Sequence, residues 1–179
     1  MKARLPILAA PLALGALLLL TGCNTRAITM CPQAVILADT ANEPVFRTGA
    51  PHDLSGVAYA ARITNVTSSC TFDSKLGDTV STLDIDFRAT RSPSADPASV
   101  TLDWFITINS AERVLKKSMQ TVRFDFAPGS AVATAHLEPD AVILELERGH
   151  LPNDYQLLLG FQLTQEQLAF NRTMGRYVP

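Results

Sequence analysis

From Ala34 onward, apolar and polar residues alternate with a period of two along most of the chain. In a strand, that spacing sends successive side chains to opposite faces, one packed and one wet. The clearest case is Leu83, Ile85, Phe87 and Ala89, interleaved with Asp84, Asp86, Arg88 and Thr90. It predicts a half-buried antiparallel strand. Val57, Tyr59, Ala61 and Ile63 repeat the pattern, as do Leu102, Trp104, Ile106 and Ile108, then Val122, Phe124 and Phe126. Near the end, Tyr155, Leu157, Leu159, Phe161 and Leu163 share one face. Shorter runs at Ala34–Leu37, Ala131–His136 and Ala141–Glu147 bring the expectation to about eight strands. Between Arg113 and Gln120 the alternation changes phase near Lys116 and Lys117, which a β-bulge would explain.

The punctuation agrees with this reading. Ala127-Pro128-Gly129-Ser130 puts Pro and Gly where a type II turn needs them. Asn109–Glu112 is a second hairpin connection, and Thr48–Ser55, Arg91–Ser99 and Arg148–Asp154 read as exposed loops. Recurring strands and turns with almost no helical period predict an all-β, antiparallel β-sandwich. The exception is the carboxy terminus. Thr164 followed three residues later by Gln167 has the form of a capping box, predicting a short helix from about Gln165 to Met174 that ends at Gly175. That helix either covers an open sheet edge or one end of the barrel-like core or, with the tail Arg176–Pro179, offers a docking surface. The first is the favoured expectation.

The amino terminus breaks the alternation. Lys2 and Arg4 precede an apolar run from Leu5 to Leu20 that is interrupted by Pro6, Pro11 and Gly15, the build of a secretory signal segment. It ends in Leu20-Thr21-Gly22-Cys23, which resembles the lipobox of bacterial lipoproteins at every position. The resemblance implies that the Cys23 thiol carries diacylglycerol, that cleavage falls between Gly22 and Cys23, and that the new amine is acylated, typically with palmitate. Several acyl chains give stable anchoring where one binds only marginally. Asn24, rather than Asp, follows the anchor, which by the sorting rule of enteric bacteria implies the outer membrane, facing the periplasm. The expected organisation is a signal peptide over residues 1–22, a lipidated tether over 23–30 and one β-sandwich domain over 31–179. Between Cys23 and Cys31 the tether reaches about 25 Å when extended, at roughly 3.5 Å per residue, so the domain should sit close to the membrane.

Composition narrows the partners. Charged residues are 18% and the formal net charge is −2, so no basic field is expected to hold nucleic acid or anionic lipid. With Cys23 taken by lipid, Cys31 and Cys70 remain in an oxidising compartment, and two such thiols most simply form a structural disulfide.

The stretch Gly160-Phe161-Gln162-Leu163-Thr164 and the following Glu166-Gln167-Leu168-Ala169-Phe170-Asn171-Arg172 resemble the ending of a family of small uncharacterised lipoproteins from Gram-negative bacteria. The Cys31-Pro32 start and the segment from Ala61 to Cys70 are similar to that family too. The resemblance implies location and architecture, and carries no assigned activity.

The chain has no G-x-S-x-G elbow, no phosphate-binding glycine loop and no C-x-x-C. Asp84 and Asp86 share a strand face with Arg88 and read as a solvated side. His52 beside Asp53 could form an acid–base pair, but a loop histidine is more often plain surface. His52, His136 and His150 show no ligand-like spacing to the cysteines. No catalytic, cofactor or metal residue is assigned. The expectation is a non-enzymatic module, anchored to the membrane by Cys23 and contacting an envelope protein partner. The alternative is a carrier or chaperone for an apolar ligand or protein client, with a cavity between its sheets.

Overall fold

The alternation resolves into nine strands in a computed structural model that describes residues 31–174 apart from Ser74, Leu76, Ala95 and Glu112. Cys23, the signal segment and the tail from Gly175 lie outside the described residues. The strands are β1 (Gln33–Ile36), β2 (Asn42–Phe46), β3 (Val57–Asp73), β4 (Asp78–Arg91), β5 (Ala98–Ser110), β6 (Arg113–Phe126), β7 (Val132–Leu137), β8 (Val142–Glu145) and β9 (Tyr155–Phe161). A single helix, α1 (Gln165–Met174), follows. One sheet has the order β1-β9-β5-β6; the other runs β2-β3-β4-β7, with β8 also paired to β4. They pack face to face as a β-sandwich.

The inward faces are those that the alternation marks. Leu83, Ile85, Phe87 and Ala89 of β4 meet Leu102, Trp104, Ile106 and Ile108 of β5 and the inward side of β9 in a single buried cluster. Phe87 lies edge-on to Trp104 at 5.4 Å and to Phe161 at 6.1 Å, the offset geometry that aromatic quadrupoles favour. Tyr155 is fully buried, and its hydroxyl accepts from the Glu147 N–H at 2.9 Å, so its polar end is satisfied. Ser130 N–H donates to Ala127 O at 3.0 Å, and Gly129 has φ +76°, as the type II turn requires. The phase change in β6 is a bulge. Lys116 pairs with Ile108 and Val114 with Asn109, leaving Leu115 without a counterpart.

Three features depart from the sequence reading. β2 is an additional strand, hidden because Pro44 at its centre lacks a donor and weakens any strand signal. It occupies a sheet edge, where that missing donor breaks no ladder. Second, β1 runs parallel to β9, so the sandwich is not wholly antiparallel. Third, β3 continues through the polar stretch Asn65–Ser69, carried by its ladder with β4 beyond a bulge at Thr64.

Cys31 and Cys70 are joined by a disulfide. It ties the chain just before β1, in one sheet, to β3, in the other. Constraining a loop of that span should contribute about 3–4 kcal/mol in the chain-entropy picture. β1 has only four residues and a single neighbouring strand, so it depends on the tie. Cys70→Ser should therefore lower the unfolding free energy by about 2–5 kcal/mol in urea titration, and reduced wild type should match it. Coincident wild-type curves with and without reductant would contradict this role.

Candidate functional site

A concavity lies outside the sandwich, between α1 and the outer face of β2, β3 and β4. It has a volume of about 740 Å³. Its floor follows from the strand period. Because Tyr59, Ala61 and Ile63 face inward, Ala58, Ala60 and Arg62 face out. Strand register aligns Pro44, Ala60 and Thr90 in one row across the three strands, and Asn42, Arg62 and Arg88 in the next. A band of small residues, apolar except for Thr90, thus adjoins a basic one. Two arginines directly opposite each other are unfavourable unless an anion is near.

The walls are built by two short elements. Asp53 accepts from the Ser55 and Gly56 N–H groups at 2.8 and 3.3 Å and so fixes the turn that holds Leu54 outward, 68% exposed. Any Cβ on Gly56 would fall 1.8 Å from Pro51 O, so this turn requires glycine. The opposite wall is α1, whose capping box forms as expected: Gln167 N–H donates to Thr164 Oγ1 at 3.2 Å, and Thr164 N–H to Gln167 Oε1 at 2.8 Å. Gln167 Nε2 donates to Pro44 O at 2.7 Å, and Asn171 Nδ2 to Asn42 O at 2.8 Å. These two side chains, one helical turn apart, satisfy carbonyls on the open side of β2, while Phe170 lies edge-on to Phe46 at 5.3 Å. The helix therefore covers a sheet edge, as favoured above, and turns Phe170 and Met174 toward the groove.

At the groove's margin Glu43 is buried, 7% exposed. Gln167 donates to its Oε1 at 3.4 Å, and Oε2 has no hydrogen-bond partner among the described residues. Burial, with Asp103 nearby, outweighs the Gln167 hydrogen bond and pushes its pKa from 4.5 to about 7.

Farther along the same outer face, strand pairing gathers residues that the sequence keeps apart. Asp86 stands opposite His136. His136 Nδ1 lies 2.9 Å from Asp86 Oδ1, and Nε2 lies 3.6 Å from Glu138 and 4.0 Å from Asp84. The Asp86 hydrogen bond raises the His136 pKa, and the same bond lowers that of Asp86. Asp84, His136 and Glu138 could offer converging ligand atoms to a cation, but all three are exposed. A histidine hydrogen-bonded to one carboxylate and flanked by two more accounts for the arrangement. Only the shared face of Asp84 and Asp86 was legible beforehand; His136 arrives on a strand some fifty residues away.

The structure does not make His52 and Asp53 an acid–base pair. The Asp53 carboxylate serves its own turn and also accepts from the Ser55 hydroxyl, which holds its pKa low, while the His52 ring lies 4.7 Å from Phe46. Of the sequence-assigned residues, Cys31 and Cys70 come together as the disulfide, and Cys23 lies outside the described residues.

No family model, curated protein or solved structure matches the chain.

Glu43 gives a pH test of how α1 is held. A carboxyl whose folded pKa is raised contributes stability that is complete below about pH 4.5 and lost as pH climbs through 7. Glu43→Gln should therefore match wild type near pH 4.5 and exceed it above pH 8 by roughly 1–2 kcal/mol, allowing for solvent screening. Parallel thermal-denaturation profiles from pH 4.5 to 8.5 would contradict the assignment.

Proposed function

We propose that this chain is a lipid-anchored envelope protein, related to the small Gram-negative lipoproteins it resembles, that works without catalysis as a protein-interaction module. Its address follows from the lipobox at Leu20–Cys23 and from Asn24, which favour the outer membrane and its periplasmic face. Among the described residues no helix is long and apolar enough to cross a membrane. Lipid on Cys23 would then hold the domain within a short tether's reach of the bilayer.

The observation that carries the interaction reading is the free side of β6. This strand ends its sheet, pairing only with β5. Its first half exposes Val114, Leu115 and Met119, which are 60%, 40% and 48% accessible. An edge strand that presents apolar side chains is a template for adding a partner's strand. Lys116 and Lys117, both exposed in the same stretch, discourage indiscriminate pairing and favour an acidic partner segment. The space between the sheets is filled by Trp104, Phe87, Phe124, Phe126 and Phe161, all essentially buried. An apolar ligand would have to bind on the outside.

Two substitutions test the address and the contact separately. Cys23→Ala should leave protein that no longer partitions with membranes; an unmodified mature amino terminus in wild type, seen by mass spectrometry, would sink the anchoring. A photo-crosslinking residue at Leu115 should yield a discrete protein adduct in the native envelope. Val114→Asp should abolish that adduct with stability unchanged to within about 0.5 kcal/mol, as for exposed sites generally. An adduct that survives Val114→Asp, or the lack of any adduct, would overturn β6 as the contact.

A further inference from the structure

We propose that the groove between α1 and the outer face of β2, β3 and β4 binds a single-chain anionic amphiphile, its head on Arg88 and its chain along the Ala60 row toward Leu54, Phe170 and Met174. The inference goes beyond the β6 contact and does not depend on it. Its volume, about 740 Å³, is that of a small-molecule site, in which an apolar lining and a few polar groups fix one orientation.

Polarity within the groove is segregated. Pro44, Ala58 and Ala60 give a largely apolar floor in which Thr90 is the polar member of the Ala60 row, and Leu54, Phe170 and Met174 give apolar walls. One row on, Arg62 and Arg88 face each other across β3 and β4. Arg88 has no hydrogen-bonding or ion-pair partner among the described residues, although it lies on the same strand face as Asp86. The carboxylate of Asp39, which also borders this end, is engaged by Arg172 at 3.4 Å. A cation left open beside an apolar strip is complementary to a ligand with charge at one end only. A guanidinium suits this task, because its planar donors match a carboxylate or phosphate in two hydrogen bonds.

An acidic peptide fits less well. β3 and β4 are each paired on both sides, so this floor offers no free backbone ladder to an extended segment. β2, the open strand here, already has carbonyls satisfied by Gln167 and Asn171. What remains available is side-chain surface, apolar and then cationic, which an acyl chain with an anionic head can use throughout its length.

Native mass spectrometry of the full chain, released from a non-ionic detergent, tests this with three probes. These are myristoyl-lysophosphatidylglycerol, myristoyl-lysophosphatidylcholine with the same chain and no net charge, and glycerol phosphate with no chain. The anionic lysolipid should bind at least tenfold more tightly than the zwitterionic one, and glycerol phosphate more weakly than either. Arg88→Glu should erase the preference for the anionic head. Leu54→Asp should weaken both lysolipids at least tenfold, and Val114→Asp should change neither. Both groove positions are exposed, and unchanged melting of each variant shows that it is folded. Equal affinity for the two lysolipids, retention of the preference in Arg88→Glu, or tight binding of glycerol phosphate alone would overturn the proposal. So would a groove that takes an acidic, leucine-containing peptide but no lysolipid. Each of these outcomes leaves the β6 contact standing, whereas loss of the Leu115 adduct leaves the groove standing.

Discussion

Packing between the two sheets, centred on Trp104, Phe87 and Phe161, is the interaction on which everything else in this molecule depends. Each large side chain removed from water there contributes about 1.5–3 kcal/mol, and the edge-to-face contacts add to that. The indole N–H of Trp104 is buried without an acceptor among the described residues, so packing outweighs an unmade hydrogen bond worth about 1–3 kcal/mol. Strand period then transmits the core's demands to the surface. Once Leu83, Ile85, Phe87 and Ala89 are committed inward, Asp84, Asp86, Arg88 and Thr90 have nowhere to go but out. Bands of small, basic and acidic residues across the outer face follow from that one commitment.

The ends of the chain secure what the core leaves open. β2 and β1 are both edge strands, short and weakly held by strand pairing alone. α1 covers the first through Gln167 and Asn171, and the Cys31–Cys70 bond ties down the second. A ten-residue helix is marginal alone in water, so α1 owes its persistence to these contacts as much as they owe theirs to it. The burial of Glu43 beneath Gln167 makes this arrangement sensitive to pH, because ionisation would leave a charge there with a single weak donor.

How legible this was depended on whether a residue's role was local. β4, β5 and β9 could be read from alternation, and α1 with its cap from Thr164 and Gln167, because those signals lie within a few residues. The bulge at Leu115 was visible as a phase change. β2 was not visible, since Pro44 erases the local signal and only the contacts of α1, more than 120 residues later, explain why a strand is there. The groove and the His136 cluster were hidden for the same reason. Arg62 meets Arg88, and Asp86 meets His136, only once the register of three or four strands is known. Composition, with charges nearly balanced, gave no hint that cations and carboxylates would sort into separate bands.

If one core is shared by both sheets, neither sheet can open without the other. Amide hydrogen exchange of the full chain measures this directly, strand by strand. The slowest amides of β4, in one sheet, and of β9, in the other, should report the same opening free energy, equal to that of global unfolding. Amides of Arg113–Met119 that face away from β5 should exchange orders of magnitude faster. Opening free energies for β4 and β9 that differ by more than about 2 kcal/mol would mean that the sheets come apart independently, and would contradict a single core as the basis of this structure.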